Sequence, residues 1–307
     1  MARQRKRIKD KEFFNYKKKR GDRTDGWRVD PTDPTFLLIP HFMPMRCDAQ
    51  VFFSDEVDTT ALDEFVRRVR RDPSYEMPDL SRLTVVMAAV VRAFARYPKI
   101  NRFVAGKRVY ARNHFCVSLT MKKSMSIESD EANLKMYFNP DATLRDTYDE
   151  LIGKIKASKN DVDNDTDALV DKLHSIPQWA IRAFMRWINY RDNHKGLPRA
   201  IYDVSPFHTS VYITDIGSTG IGSIFHHIYN LGTTSMFLSI GRREKKLVLG
   251  EDGQPEYKNI IHFNYVIDER ICDGFYYAKA VRYLNSLLKN PEKLLEKPET
   301  INEDPLV

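Results

Sequence analysis

Apolar and polar positions follow two periods along this chain, and each stretch of regular period predicts an element. Ala49 to Phe53 alternates with the period of a strand, and Thr59-Thr60 then opens ALDEFVRRVRR, whose apolar residues recur at helical spacing up to Asp72-Pro73. Asp79 or Ser81 is placed to cap a second helix running to Arg96 and ended by Pro98; its Val, Met, Ala and Phe positions on most sides imply burial. Asn101 to Val104, Arg108 to Ala111 and Phe115 to Met121 read as strands, with Ala105-Gly106-Lys107 as a hairpin turn. A polar strand near Leu134 to Phe138, a helix over Leu144 to Ala157 and a surface loop SKNDVDNDTD follow. Ala168 to Tyr190 reads as helix broken at Pro177. Ser210 to Thr214, Met236 to Ile240 and Ile260 to Ile267 read as strands, and Tyr276 to Lys289 as the closing helix.

Strands and helices that mix without strict alternation argue against a doubly wound nucleotide-binding sheet. No Gly-x-Gly-x-x-Gly stands at a strand-to-helix turn, and neither a phosphate-loop motif nor His-Glu-x-x-His occurs. With 307 residues, 42% of them hydrophobic, the chain can bury one large core, and one domain is the simpler reading. Cys47, Cys116 and Cys272 are too few and too scattered for a disulfide framework and lack metal-ligand spacing; no metal is expected. No stretch reaches the length of an apolar bilayer span, so no membrane partner and a cytoplasmic location are expected.

Charge changes the picture in one place. The net charge is +7, yet residues 1–28 hold 12 Lys or Arg against 4 Asp or Glu, a net of +8, which leaves the remainder at −1. Lys17-Lys18-Lys19-Arg20 could bind a polyanion such as nucleic acid by counterion release. The favoured reading is a solvated tail, because charge blocks usually are one and no nucleic-acid-binding motif accompanies this one. Phe13, Phe14 and Tyr16 could instead dock the arm on a neighbouring subunit.

The stretch Asp268-Glu269-Arg270-Ile271-Cys272-Asp273-Gly274 resembles the His-x-x-x-Asp-Gly signature of the dihydrolipoyl acyltransferases and chloramphenicol acetyltransferase, with Glu269 in the histidine's place. Three more segments resemble that family in the same order. They are Ile39 to Arg71, an entry strand and first helix; Leu83 to Lys123, with a Tyr97, Pro98 and Asn101 elbow and a hairpin; and Ser210 to Lys246, a strand, glycine-rich turn and returning strand. The resemblance covers roughly Phe36 to Leu295. It divides the chain into a basic N-terminal arm (1–35), an acyltransferase-like catalytic domain (36–295) and a C-terminal tail (296–307). It implies an α/β (α+β) two-layer sandwich with a mixed sheet, the chloramphenicol acetyltransferase-like fold of coenzyme A-dependent acyltransferases, assembled as a homotrimer.

By the same resemblance, Glu269 takes the position of the general base and Thr214 that of the serine that stabilises the oxyanion. Asp273 is expected in an ion pair with an arginine, for which Arg46 is a candidate. Gly274 would allow a tight turn, and Arg270 belongs to the motif's frame. Cys272 reads as a packed apolar residue. Coenzyme A or an acyl-coenzyme A is the implied substrate, with no residue assigned to it and the acyl acceptor unknown. A glutamate near pKa 4.3 is a poorer base for a thiol than an imidazole near 6.5, by about 3 kcal/mol or roughly a hundredfold. Impaired or altered acyl transfer is one consequence; a non-catalytic trimeric scaffold or ligand-binding protein is the alternative. His41, His226, His227 and His262 are read as structural.

Overall fold

The computed structural model describes residues 16–30, 34–122, 131–160, 176–250 and 252–305. In chain order the elements are β1 (Gly26–Arg28), α1 (Pro34–Phe42), β2 (Gln50–Asp58), α2 (Thr60–Arg71), α3 (Arg82–Arg96), β3 (Arg102–Ala105), β4 (Arg108–Arg112), β5 (Phe115–Lys122), β6 (Glu131–Phe138) and α4 (Leu144–Asn160). They continue with α5 (Gln178–His194), α6 (Arg199–Val204), β7 (Val211–Asp215), β8 (Met236–Leu249), β9 (Pro255–Asp268) and α7 (Gly274–Lys289).

Six strands form a mixed sheet in the order β2-β9-β8-β7-β5-β6, parallel only where β7 lies between β8 and β5. The inward residues of these strands, such as Ile213, Leu238 and Tyr265, share one core with α2, α3, α4 and α7. Helices on one face of the sheet make the two layers, as expected. The α3 sequence explains its place at the centre: every residue from Thr84 to Ala95 is buried, and Ser81 caps the helix by accepting from the Thr84 amide. Tyr97 and Pro98 end it in a 3-10 turn, and the Tyr97 ring packs against Tyr276 and Tyr283 of α7. A second, three-stranded antiparallel sheet runs β1-β4-β3. Its β3–β4 turn places Gly106 and Lys107 at φ 55° and 61°, the left-handed pair of a tight hairpin turn.

Several elements differ from the pattern. The first half of the helix expected over 168–190 lies outside the described residues, and α5 begins just after Pro177. Ser158–Asn160 of the expected surface loop belong to α4, and the rest of that loop lies outside the described residues. Thr59 precedes α2 but makes no side-chain cap; Asp58 Oδ1 accepts from the Thr60 amide instead. Strands β8 and β9 run on as a long hairpin past the predicted ends, and β1, α1 and α6 have no counterpart in the periodic reading. Within residues 16–30 of the basic arm, Lys17 to Gly21 are exposed as a solvated run would be, whereas the stretch from Arg23 to Val29 is largely packed. Trp27 is buried, and Arg23, with no exposed surface, pairs with Asp25 and with Asp192 of α5. Residues beyond 295 are also held: Asn302 donates to the carbonyls of Ala95 and Arg96, and Asp304 is buried.

Candidate functional site

The motif loop leaves the end of β9 and enters α7. Asp268, 1% exposed, accepts from Arg270 Nε at 2.8 Å and Nη2 at 2.7 Å, and Arg46 Nε lies 3.6 Å from its Oδ2. The third arm of the Arg270 guanidinium donates to the Met43 carbonyl at 3.0 Å, tying the loop to the segment before β2. Arg46 is itself buried, and burial together with repulsion from Arg270 pushes its pKa down to about 10 despite Asp268. A second buried arginine, Arg102, grips Asp304 at 2.5 and 2.6 Å and donates to the Ile271 carbonyl at 3.5 Å. The loop is therefore held on one side by the Arg270 fork and on the other by the remaining arm of Arg102.

Glu269 stands on this frame with its backbone amide donating to Ala49 at 2.9 Å. Its side chain is exposed and has no hydrogen bond or ion pair among the described residues. The neighbouring Arg270 is committed to Asp268 and leaves it alone. Cys272 is packed in the core as expected, and burial pushes its thiol pKa up.

Two expectations for the motif change. Asp273 pairs with no arginine among the described residues: it caps α7, accepting from the Tyr276 amide at 2.9 Å, and the ion pair with Arg46 belongs to Asp268. An exposed aspartate at a helix start gains more from orphan amides and the helix dipole than from a distant cation. Gly274 is the first residue of α7, its φ is not positive, and a Cβ there would meet nothing within 4 Å. Within one chain no tight turn requires it.

Thr214, next to last in β7, lies in a lateral row with Ser239 of β8 and Asn264 of β9. The segment after the glycine turn folds back over this row: Ser239 Oγ accepts from the Ile224 amide, and Asn264 Nδ2 donates to the Ser223 carbonyl. Closeness makes the glycines necessary here. A Cβ on Gly241 would lie 2.4 Å from the Ser223 nitrogen, and one on Gly217 would lie 2.7 Å from the Gly241 oxygen. A bulge in the β8–β9 pairing between Ile240 and Arg243 makes room for the crossing. The Thr214 hydroxyl has no hydrogen-bond partner among the described residues.

One chain does not bring Thr214 and Glu269 together. Asn264, which shares the lateral row with Thr214, precedes Glu269 by five residues, about 16 Å along the strand, and two strand spacings add about 10 Å across. Two clefts open near these segments, and neither is lined by Thr214 or Glu269. One, of about 550 Å3, is lined by Met45, Arg46, Gly106, Met185, Asn193 and Arg270. The other, of about 480 Å3, is lined by Arg82, Asp215, Gly217, Arg242 and Arg243 beside the glycine turn. Among the described residues no group of three or more His, Cys, Asp or Glu could hold a metal ion. His41 is exposed at the end of α1, His262 lies across from Glu56, and His226 stacks on Phe237.

The sequence pattern missed both guanidinium forks. Asp268 and Arg270 were visible as the motif's flanks, but nothing in their spacing says that they pair with each other. Arg102 and Asp304 lie 202 residues apart.

Comparison with known proteins finds one family's model in part of the chain and the same fold over most of it. The family model for the 2-oxoacid dehydrogenases acyltransferase (catalytic domain) matches residues 207–296, the stretch holding Thr214 and the motif loop. No curated protein matches the sequence. A probable dihydrolipoamide acetyltransferase from Listeria monocytogenes superposes with TM-score 0.55 at 14% identity, over 88% of this chain and 96% of that one. The Azotobacter vinelandii dihydrolipoamide acetyltransferase, solved to examine a serine, a histidine and an asparagine in its catalytic mechanism, gives 0.54 at 13%, over 88% and 95%. The truncated catalytic core of the Thermoplasma acidophilum 2-oxoacid dehydrogenase complex gives 0.50 at 12%, over 86% and 98%. The resemblance read from the motifs thus extends to the fold, which is the chloramphenicol acetyltransferase-like one expected.

Proposed function

We propose that the protein transfers an acyl group from a coenzyme A thioester to a thiol or hydroxyl acceptor, in a trimer where Glu269 of one subunit meets Thr214 of the next. One observation carries this reading. Glu269 presents an uncommitted, exposed carboxylate on a loop where Asp268 and Arg270 pair with each other and Asp273 is taken up in capping α7. The separation of Glu269 and Thr214 within a chain supports the trimer, since only a second subunit can close that gap.

In the reaction Glu269 takes the acceptor's proton while the acceptor's sulfur or oxygen attacks the thioester carbon. The Thr214 hydroxyl donates to the tetrahedral oxyanion. Collapse breaks the carbon–sulfur bond and expels the coenzyme A thiolate, which recovers the proton from Glu269. The carboxylate's weakness as a base slows the first step by roughly a hundredfold relative to an imidazole. That same penalty favours the second reading, a non-catalytic trimer that binds the thioester without turning it over.

Acetyl-coenzyme A turnover by the wild type, Glu269→Gln and Glu269→His, with calorimetric titration of coenzyme A, separates the readings. Loss of turnover in Glu269→Gln together with a gain in Glu269→His supports the base role. Binding without turnover in the wild type, with a gain in Glu269→His, supports the non-catalytic trimer. No heat with coenzyme A at millimolar concentration overturns both.

A further inference from the structure

Helix α5 is amphipathic in an unusual sense. The side that meets the domain is small: Ile188 and Asp192 are its only buried residues, and Asp192 is held by Arg23 and His208. The opposite side carries large aromatic groups in the open. Trp179 is 73% exposed, Phe184 52%, Trp187 44% and Tyr190 67%. They recur at helical spacing, and Phe184 stacks on Trp187. Exposed rings of this size along one helix are not scattered surface residues but a patch that covers something or is covered.

The charge on the same surface says what. From residue 176 to 202 the only acid is Asp192, buried in its pair, while Arg182 and Arg186 are exposed along one flank of the ring face. The N-terminal arm adds to them. Arg23 donates to the Asp192 side chain and carbonyl, and Thr24 Oγ1 donates to the Lys195 carbonyl. These contacts hold the exposed run Lys17-Lys18-Lys19-Arg20 beside the C-terminal end of α5. Arg191 of the helix is among the charges that Lys18 feels. Across the cleft from Met185, Met45 at 48% exposure continues the apolar character, and Phe42, three residues before it at the end of α1, is 72% exposed.

We propose that α5 and the Lys17–Arg20 run form a docking surface for an anionic lipid bilayer, with the rings set into the headgroup region and the cations on its phosphates and carboxylates. Interfacial tryptophan and tyrosine beside arginine and lysine are the chemistry of helices that lie in that layer, and one polybasic segment strengthens such binding. The expectation of no membrane partner concerned spans, and no described helix is long and apolar enough to cross a bilayer; α5 lies on the surface. Nucleic acid fits less well, because Phe42 and Met45 add apolar surface rather than base-stacking platforms. A second copy laid on this face in a two-fold contact would oppose Arg182 and Arg186 to themselves, and a heterologous contact of the proposed trimer is separated by the oligomeric state of the variants below.

The test is sedimentation of the full-length protein with vesicles of phosphatidylcholine, with and without phosphatidylserine. Binding is expected only to the anionic vesicles, falling at least about tenfold on raising salt from physiological to molar strength. Of the chain's three tryptophans, Trp27 is buried. A blue shift of emission on binding therefore reports Trp179 and Trp187. The double substitution Trp179→Gln/Tyr190→Gln and the reversal Lys17→Glu/Lys19→Glu are each expected to weaken binding about tenfold, with unchanged circular dichroism and oligomeric state. Equal binding to neutral vesicles, or none to anionic ones, overturns the proposal without any variant. Dissociation of the oligomer by Trp179→Gln/Tyr190→Gln would show the face to be covered by a second copy, and preferential retention on single-stranded nucleic acid would assign it there; either overturns it.

Discussion

Asp268 is the residue on which the motif loop's geometry turns, and its charge can be removed without changing its shape. In Asp268→Asn two buried guanidiniums, Arg270 at 2% and Arg46 at 4% exposure, lose their shared carboxylate and face each other uncompensated. Removing one partner of a buried pair costs about 3–5 kcal/mol. At roughly 2.1 cal/mol/K per residue the unfolding entropy of 307 residues is about 0.64 kcal/mol/K, so about 4 kcal/mol lowers Tm by about 6 °C. Scanning calorimetry of the single variants and of Asp268→Asn/Arg270→Met completes a cycle in which the double variant is expected to lose less than the sum, by about 1–3 kcal/mol. Glu269→Gln, one residue on but exposed and unpartnered, is expected to stay within about 0.5 kcal/mol of wild type. A fall below about 2 °C for Asp268→Asn, or additive losses, would refute the claim that this fork holds the loop.

His114 is buried; its Nδ1 lies 2.7 Å from Asn113 Oδ1, and its Nε2 lies 3.1 Å from a Tyr202 hydroxyl that also accepts from Arg112. Burial first, then the Arg112 and Lys135 charges, hold its pKa well below 6.5, so the unfolded chain binds the extra proton. Stability is then full above about pH 6.5 and declines below it by up to about 1.4 kcal/mol per pH unit, a slope that His114→Gln is expected to remove in urea titrations at several pH values. Gly241→Ala would drive a methyl into the Ser223 nitrogen and is expected to cost about 1–3 kcal/mol, whereas Gly274→Ala has open space and is expected to leave Tm unchanged in the isolated chain.

The sheet and helices were legible because their signals are local. The buried α3 declared itself by apolar residues on nearly every side, and the β3–β4 hairpin by a glycine where the turn needs a left-handed φ. What stayed hidden depends on distant parts of the chain. The basic arm looked solvated because its charge is a property of composition, whereas the burial of Arg23 is decided by Asp192, 169 residues away. Likewise β1 is only three residues long and exists as a strand because β4 offers it an edge. At the site, residue identities could be read and their partnerships could not: the aspartate in the ion pair is Asp268, and Asp273 serves as a cap.

The arrangement of charge around Glu269 bears on why a carboxylate stands there. Were it a structural replacement, the nearest cation, Arg270, would be its natural partner, and pairing would bury both. Arg270 instead spends its fork on Asp268 and its third arm on the Met43 carbonyl, and the Glu269 carboxylate is left facing solvent. Nothing within the described chain draws stability from that side chain. A loop held this firmly, with Asp273 taken up as the α7 cap and the Glu269 side chain without a partner among the described residues, directs that charge at another molecule, and both substrate and neighbouring subunit lie in that direction under the proposed function. The Asp268 and Glu269 variants separate the two halves of this argument: the first tests the frame, the second what the frame presents.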